Sequence, residues 1–84
     1  MMTRQNIGNN RDRVSFSSYV DLQNYFTTKP SNEELYFETI NGVYIVNNVS
    51  NNSIDYSYVG TNPQQSDTMS FSKFQSSTMV WIRK

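Results

Sequence analysis

The chain has no cysteine, no histidine and no alanine, and only two prolines and three glycines among its 84 residues. Without cysteine there is no disulfide framework and no thiolate metal site, and a secreted domain of this size usually needs such a staple. The expected setting is therefore intracellular, in the cytoplasm of a host cell, or within a larger assembly. The missing histidine removes a further source of acid–base, nucleophilic and zinc chemistry near neutral pH. Net charge is missing as well: seven basic and seven acidic residues cancel, so the long-range field of a dedicated nucleic-acid binder or membrane-surface protein is absent. No stretch approaches the ~18 consecutive apolar residues of a membrane span. Met1-Met2-Thr3-Arg4-Gln5-Asn6 leads into no apolar run, so neither embedding nor export by an ordinary signal is expected.

What remains is a chain with room for one domain, since a chain this short buries only about 60% of the surface its unfolded form exposes. The apolar residues make up 36% and are concentrated in Tyr, Phe, Val and Ile. Such side chains pack well on a pleated surface and lose rotamer freedom in helices, so the composition leans towards sheet.

Residues 1–13 show no periodicity and carry Gly8-Asn9-Asn10, which predicts a flexible arm, weakly basic through Arg4, Arg11 and Arg13, ahead of a single small β-rich domain over residues 14–84. From Ser15 to Phe26 a strand and a helix compete. The helix is preferred, because Phe16, Tyr19, Leu22 and Phe26 follow three- and four-residue steps and Ser18 with Asp21 forms a capping pattern. Pro30 then stops it.

Leu35-Tyr36-Phe37-Glu38-Thr39-Ile40 and Val43-Tyr44-Ile45-Val46 flank Asn41-Gly42, the favoured pair for a type I′ turn, and predict a hairpin with Ile40 opposite Val43. One face would carry Leu35, Phe37, Thr39, Tyr44 and Val46; the other would carry Tyr36, Glu38, Ile40, Val43 and Ile45. Ile54-Asp55-Tyr56-Ser57-Tyr58-Val59 alternates as a further strand. Residues Gly60 to Asp67 read as the longest loop and a candidate for partner contact. Met69 to Phe74 reads as one helical turn capped by Ser70, with Met69 stapled to Phe74. Thr78 to Arg83 closes the chain as a last strand. Val14-Ser15-Phe16-Ser17-Ser18-Tyr19 and Met69-Ser70-Phe71-Ser72-Lys73-Phe74 share a Ser-Phe-Ser core, too short a match to count as a repeat. The sequons Asn48-Val49-Ser50 and Asn51-Asn52-Ser53 follow from the richness in asparagine.

The fold class expected is α+β, mainly β: a small curved antiparallel sheet of about four strands with one N-terminal helix and a short helical turn before the last strand. The order of hairpin, aromatic strand, short turn and closing strand from Leu35 to Arg83 resembles the Src-homology-3-like barrels. The resemblance implies a fold and no ligand, because the acidic and aromatic peptide-binding residues of that group have no counterpart here.

Chemistry finds little to work with. Glu38 and Asp55 invite a paired-carboxylate reading, but in alternating strands a solvated acid is the ordinary occupant of an outer face. The spacing of a calcium loop and a Gly-rich phosphate cradle are both missing. A non-enzymatic chain without cofactor or metal is expected. The aromatic content is the feature that points somewhere: five Phe, six Tyr and one Trp exceed what so small a domain can bury, and exposed aromatics anchor partners. Tyr36, Tyr44, Tyr56, Tyr58 and Trp81, all on predicted strands, are the candidate partner-binding residues. The short, asparagine-rich chain is similar in tone to accessory proteins of bacteriophages and mobile elements. That similarity implies a protein-binding inhibitor or adaptor of a host complex, or alternatively a structural piece of a particle, with homo-oligomers in reach. A third reading is nucleic-acid binding by stacking on sheet aromatics, with Arg4, Arg11, Arg13, Lys73, Arg83 and Lys84 on the phosphates. It requires those six residues to gather on one face.

Overall fold

The computed structural model describes residues 1–60 and 66–84. Its elements run β1 (Met2–Gly8), β2 (Arg11–Phe16), α1 (Tyr19–Thr28), β3 (Glu34–Thr39), β4 (Gly42–Ser50), β5 (Ser53–Tyr58), β6 (Ser66–Ser70), α2 (Phe71–Gln75) and β7 (Met79–Arg83). All pairings are antiparallel, in one seven-stranded sheet of order β1-β2-β7-β3-β4-β5-β6. The sheet stays open, with β1 and β6 as its two edges, so the barrel is not formed. Closure would need these edges to meet, and instead β7 inserts between β2 and β3 and widens the sheet. No helix among the described residues is long and apolar enough to cross a membrane.

The arm expected over residues 1–13 is strand instead. Met2–Gly8 pairs with Arg11–Phe16 through a two-residue turn in which Asn9 and Asn10 both take positive φ, 56° and 59°. The β4–β5 turn repeats the device with Asn51 and Asn52 at 52° and 59°. Asparagine tolerates this left-handed region better than other side chains, and two consecutive positive φ values match the turn to the strand twist. At Asn41-Gly42 the outcome differs. Thr39 pairs with Gly42 and Phe37 with Tyr44, so the two turn residues are Ile40 and Asn41, and Gly42 (φ +141°) opens the next strand. The pairing is displaced by two residues from the expected one. An even displacement preserves which side chains share a face, so the faces predicted for β3 and β4 hold.

Both helices begin as the sequence predicts. The Ser18 hydroxyl accepts from the Asp21 amide at 3.2 Å, and the Ser70 hydroxyl accepts from the Lys73 amide at 3.3 Å, each satisfying an amide that the first turn leaves without a partner. Lys29, ahead of Pro30, is already extended (ψ 151°) and ends α1. The helices lie on one face of the sheet and close a core of Val14, Phe16, Leu22, Leu35, Phe37, Val46, Ile54, Met69, Phe74 and Ile82. Ser66 and Asp67, expected in a loop, belong to β6; residues 61–65 of that loop lie outside the described residues. Among the described residues, the opposite face of the sheet carries no helix.

Candidate functional site

The five candidate aromatics do not gather in one place. Strand parity divides them between the two faces.

Tyr36 and Trp81 are register partners on the helix-free face. Their rings stack at 4.4 Å with an interplanar angle of 12°. Neither ring is open to solvent, because guanidinium groups lie on them: Arg11 sits 5.0 Å from the Trp81 ring, and Arg83 sits 5.2 Å from Tyr36 and 5.8 Å from Trp81. The polar tips are satisfied by acids of β3. Tyr36 donates its hydroxyl to Glu34 Oε1 at 3.1 Å, and the Trp81 indole N–H donates to Glu38 Oε1 at 3.2 Å. Burial, then the bond to Glu34, pushes the Tyr36 phenol above its ordinary value.

Tyr44, Tyr56 and Tyr58 are on the helix side, in an aromatic group centred on Phe37. Tyr44 stacks on Phe37 at 5.1 Å, Tyr56 meets Phe37 edge-on at 5.3 Å, and Phe74 of α2 meets it at 5.5 Å. Tyr58 continues the group outward, 5.4 Å from Tyr44. Its ring lies across two glycines: a Cβ at Gly42 would come 2.6 Å from ring atom Cε1, and one at Gly60 would come 2.2 Å from Cε2. Glycine at both positions lets the ring lie flat at the end of the sheet, where it stays exposed. Tyr44 and Tyr56 are half-buried core partners. Burial, and secondarily Asp67, raises the Tyr56 phenol. Replacing Tyr56 by serine is therefore expected to cost about 2–3 kcal/mol and Tyr58→Ser no more than about 1 kcal/mol, read as midpoint shifts in urea unfolding. Equal losses would place Tyr58 in the core.

Beside Tyr58 lies what sequence reading missed. Ile40 is 97% exposed at the tip of the β3–β4 hairpin, and Val59 is exposed at the same end, its amide donating to the Val43 carbonyl at 2.9 Å. The Asn41-Gly42 pattern predicts a place for Ile40 in the strand, opposite Val43. The displaced register moves it into the turn, where Asn, Gly, Asp, Pro and Ser are the usual residues.

The six basic residues of the nucleic-acid reading separate too. Arg4 and Lys84 are held on the helix side by Asp12: Arg4 Nη2 lies 2.9 Å from Oδ2 and Lys84 Nζ lies 2.9 Å from Oδ1. Arg4 also reaches Glu33 at 3.3 Å, and Tyr25 of α1 donates to the same carboxylate at 2.9 Å. Lys84 first, and then Arg4, holds the Asp12 carboxyl below the usual range. For Glu33 burial acts upward, but the bonds from Arg4 and Tyr25 outweigh it and the net direction is down. Burial, and then the bond to Glu33, pushes the Tyr25 phenol well above its ordinary value. This cluster ties β1, β2, α1 and the end of β7 together. Lys73 sits on α2, leaving only Arg11, Arg13 and Arg83 on the helix-free face. Glu38 and Asp55 are not on adjacent strands, since β4 lies between β3 and β5, and Glu38 is engaged with Trp81.

No family model, no curated protein and no solved structure matches the chain.

Proposed function

We propose that this chain is a non-enzymatic protein-binding module that docks through the exposed end of its β3–β4 hairpin, as an accessory protein of a phage or mobile element that inhibits or adapts a host protein complex. The observation that carries the reading is Ile40, 97% exposed at a turn position, with Tyr58 and Val59 at the same end of the sheet. Burying one isoleucine side chain recovers about 1.5–3 kcal/mol. An isoleucine spent on a turn thus costs this chain nothing in its own core and offers a partner's apolar pocket a ready anchor. Tyr58, held flat by Gly42 and Gly60, adds a rigid aromatic contact of the type that dominates protein interfaces.

Less supports nucleic-acid binding. The Tyr36 and Trp81 rings are already covered by Arg11 and Arg83, so a base finds no free stacking platform, and Glu34, Glu38 and Asp55 share that face.

Ile40→Asp is expected to leave the melting temperature within about 3 °C of the parent, as an exposed substitution should, and to abolish recovery of protein partners from host-cell extract on the tagged chain. Lys73→Glu, on α2, should leave recovery unchanged. Equal recovery by the parent and Ile40→Asp, or a salt-sensitive complex with a single-stranded oligonucleotide, would refute the reading.

A further inference from the structure

We propose that the helix-free face of the sheet is a dimer interface, on which a second copy of this chain packs face to face about a two-fold axis parallel to the strands. The first support is the distribution of charge. By strand parity the charged side chains of this face are Arg11 and Arg13 of β2, Arg83 of β7, Glu34 and Glu38 of β3, and Asp55 of β5. Cations occupy one half and anions the other, with the boundary between β7 and β3. Among the described residues, none of the six is in an ion pair, whereas Arg4, Lys84, Asp12 and Glu33 all are. Even Arg83 and Glu34, directly opposite in the ladder, form none, because Arg83 lies over the rings and Glu34 accepts from Tyr36.

A face divided in this way is complementary to itself. Rotation by 180° about an axis along the boundary lays β7 over β3 of the second copy. Arg83 then meets Glu34 of the second copy, and the symmetric pair forms once more on the other side of the axis, as a two-fold interface requires. Trp81 comes over Tyr36 of the second copy. The strands stay aligned, the ordinary way for two sheets to stack.

The face is also prepared and large enough. Arg11 and Arg83 are held against aromatic rings, so ordering them on association costs little side-chain entropy. Extents of 33 × 32 Å give a face of roughly 1,000 Å², against about 800 Å² per partner in a standard interface. Zero net charge removes bulk repulsion between copies. An axis parallel to the strands also sends both hairpin ends in the same direction, so the dimer would present Ile40 twice at one end and gain avidity for a repeated or symmetric target.

The test is solution mass by light scattering from low to high micromolar concentration, with thermal melts of every variant. The parent should have twice the 9.8 kDa chain mass. Arg83→Glu and Glu34→Arg should each be folded and weaken the dimer by on the order of tenfold or more, through like charges brought face to face. Mixing the two variants should restore a heterodimer, because one symmetric pair then joins Glu at 83 to Arg at 34 and the other is the native Arg83 with the native Glu34. Within one chain neither variant regains an Arg83–Glu34 pair, so restoration on mixing separates the interface from an effect on the fold. A monomeric parent at high micromolar concentration would overturn the proposal, and so would a dimer that neither variant weakens or that mixing fails to restore. The surface differs from the ridge at Ile40, so this outcome and that of the partner-recovery experiment are independent.

Discussion

Replacing Phe37 by alanine is expected to cost about 3–5 kcal/mol and to leave the chain largely unfolded at 37 °C. The side chain is 1% exposed, on β3 at the middle of the seven-stranded order. Its ring touches Tyr44, Tyr56 and Phe74, which come from β4, β5 and α2. Removal forfeits the transfer free energy of a buried ring and the geometry of three aromatic contacts, each worth about 0.5–1.5 kcal/mol beyond area. It also leaves a hole between two layers that can close only if α2 shifts. At roughly 0.05–0.15 kcal/mol per residue, an 84-residue domain has about 4–13 kcal/mol in total, so the loss is a large share of what holds it together. Urea unfolding followed by circular dichroism reads it directly. A loss under about 1.5 kcal/mol would mean that α2 collapses onto the sheet and that Phe37 is not the centre of the core.

Phe37 also shows what kind of information the sequence carries. Its face was legible from the period-two pattern, as were those of Tyr44 and Val46, and this survived a two-residue displacement of the hairpin. The starts of both helices were legible from Ser18 and Ser70, because capping is settled within four residues of chain. The β1 and β6 strands were not. Met2–Gly8 is mainly polar, with only Met2 packed against the core, and is strand because its backbone finds β2, while Met69 is the one buried anchor of β6. An edge strand can be polar on both faces, so it leaves no alternation to read. The Asn9-Asn10 pair reads two ways in sequence: an asparagine pair suits two positive φ values as well as it suits a loose arm. The open sheet, in place of a barrel, follows from β7 entering between β2 and β3, a pairing across more than sixty residues for β2 that local pattern does not encode. The candidate site suffered from the same limit. The Tyr36–Trp81 stack exists only once β3 and β7 are neighbours, and the exposure of Ile40 depends on which residues the turn selects.

Arg4→Met is expected to lower stability at neutral pH by about 1.5–3 kcal/mol, the range for hydrogen bonds to charged groups. The lower part of that range applies, because the Arg4 side chain is about one-third exposed and water screens the pair. The more decisive consequence is for the pH profile. Asp12 and Glu33 have folded-state values below their ordinary ones, which lie near about 4 in an unfolded chain. Their contribution is complete above that value and is lost as pH falls through the lowered folded values. Without Arg4 those values return towards the ordinary ones, less stability is left to lose on acidification, and the acid limb of the profile should flatten, so that the deficit of the variant shrinks as pH falls. At the alkaline end the sign reverses. Tyr25, Tyr36 and Tyr56 are raised above the ordinary phenol, so the neutral form is the one that folding favours. Stability is complete below about pH 10 and falls as pH rises beyond it. Tyr25→Phe should flatten part of the alkaline limb, because it leaves no phenol beside Glu33 to ionise, while the other two tyrosines still contribute. Urea midpoints taken from pH 3 to pH 11 on the parent and both variants test this. A loss in Arg4→Met that is the same at every pH would mean that the side chain acts through packing and that the Asp12–Arg4–Glu33 bridge contributes nothing. A loss that is largest at neutral pH and shrinks as pH falls would mean that one guanidinium fastens the edge strand β1 to the rest of the fold by holding two carboxylates ionised.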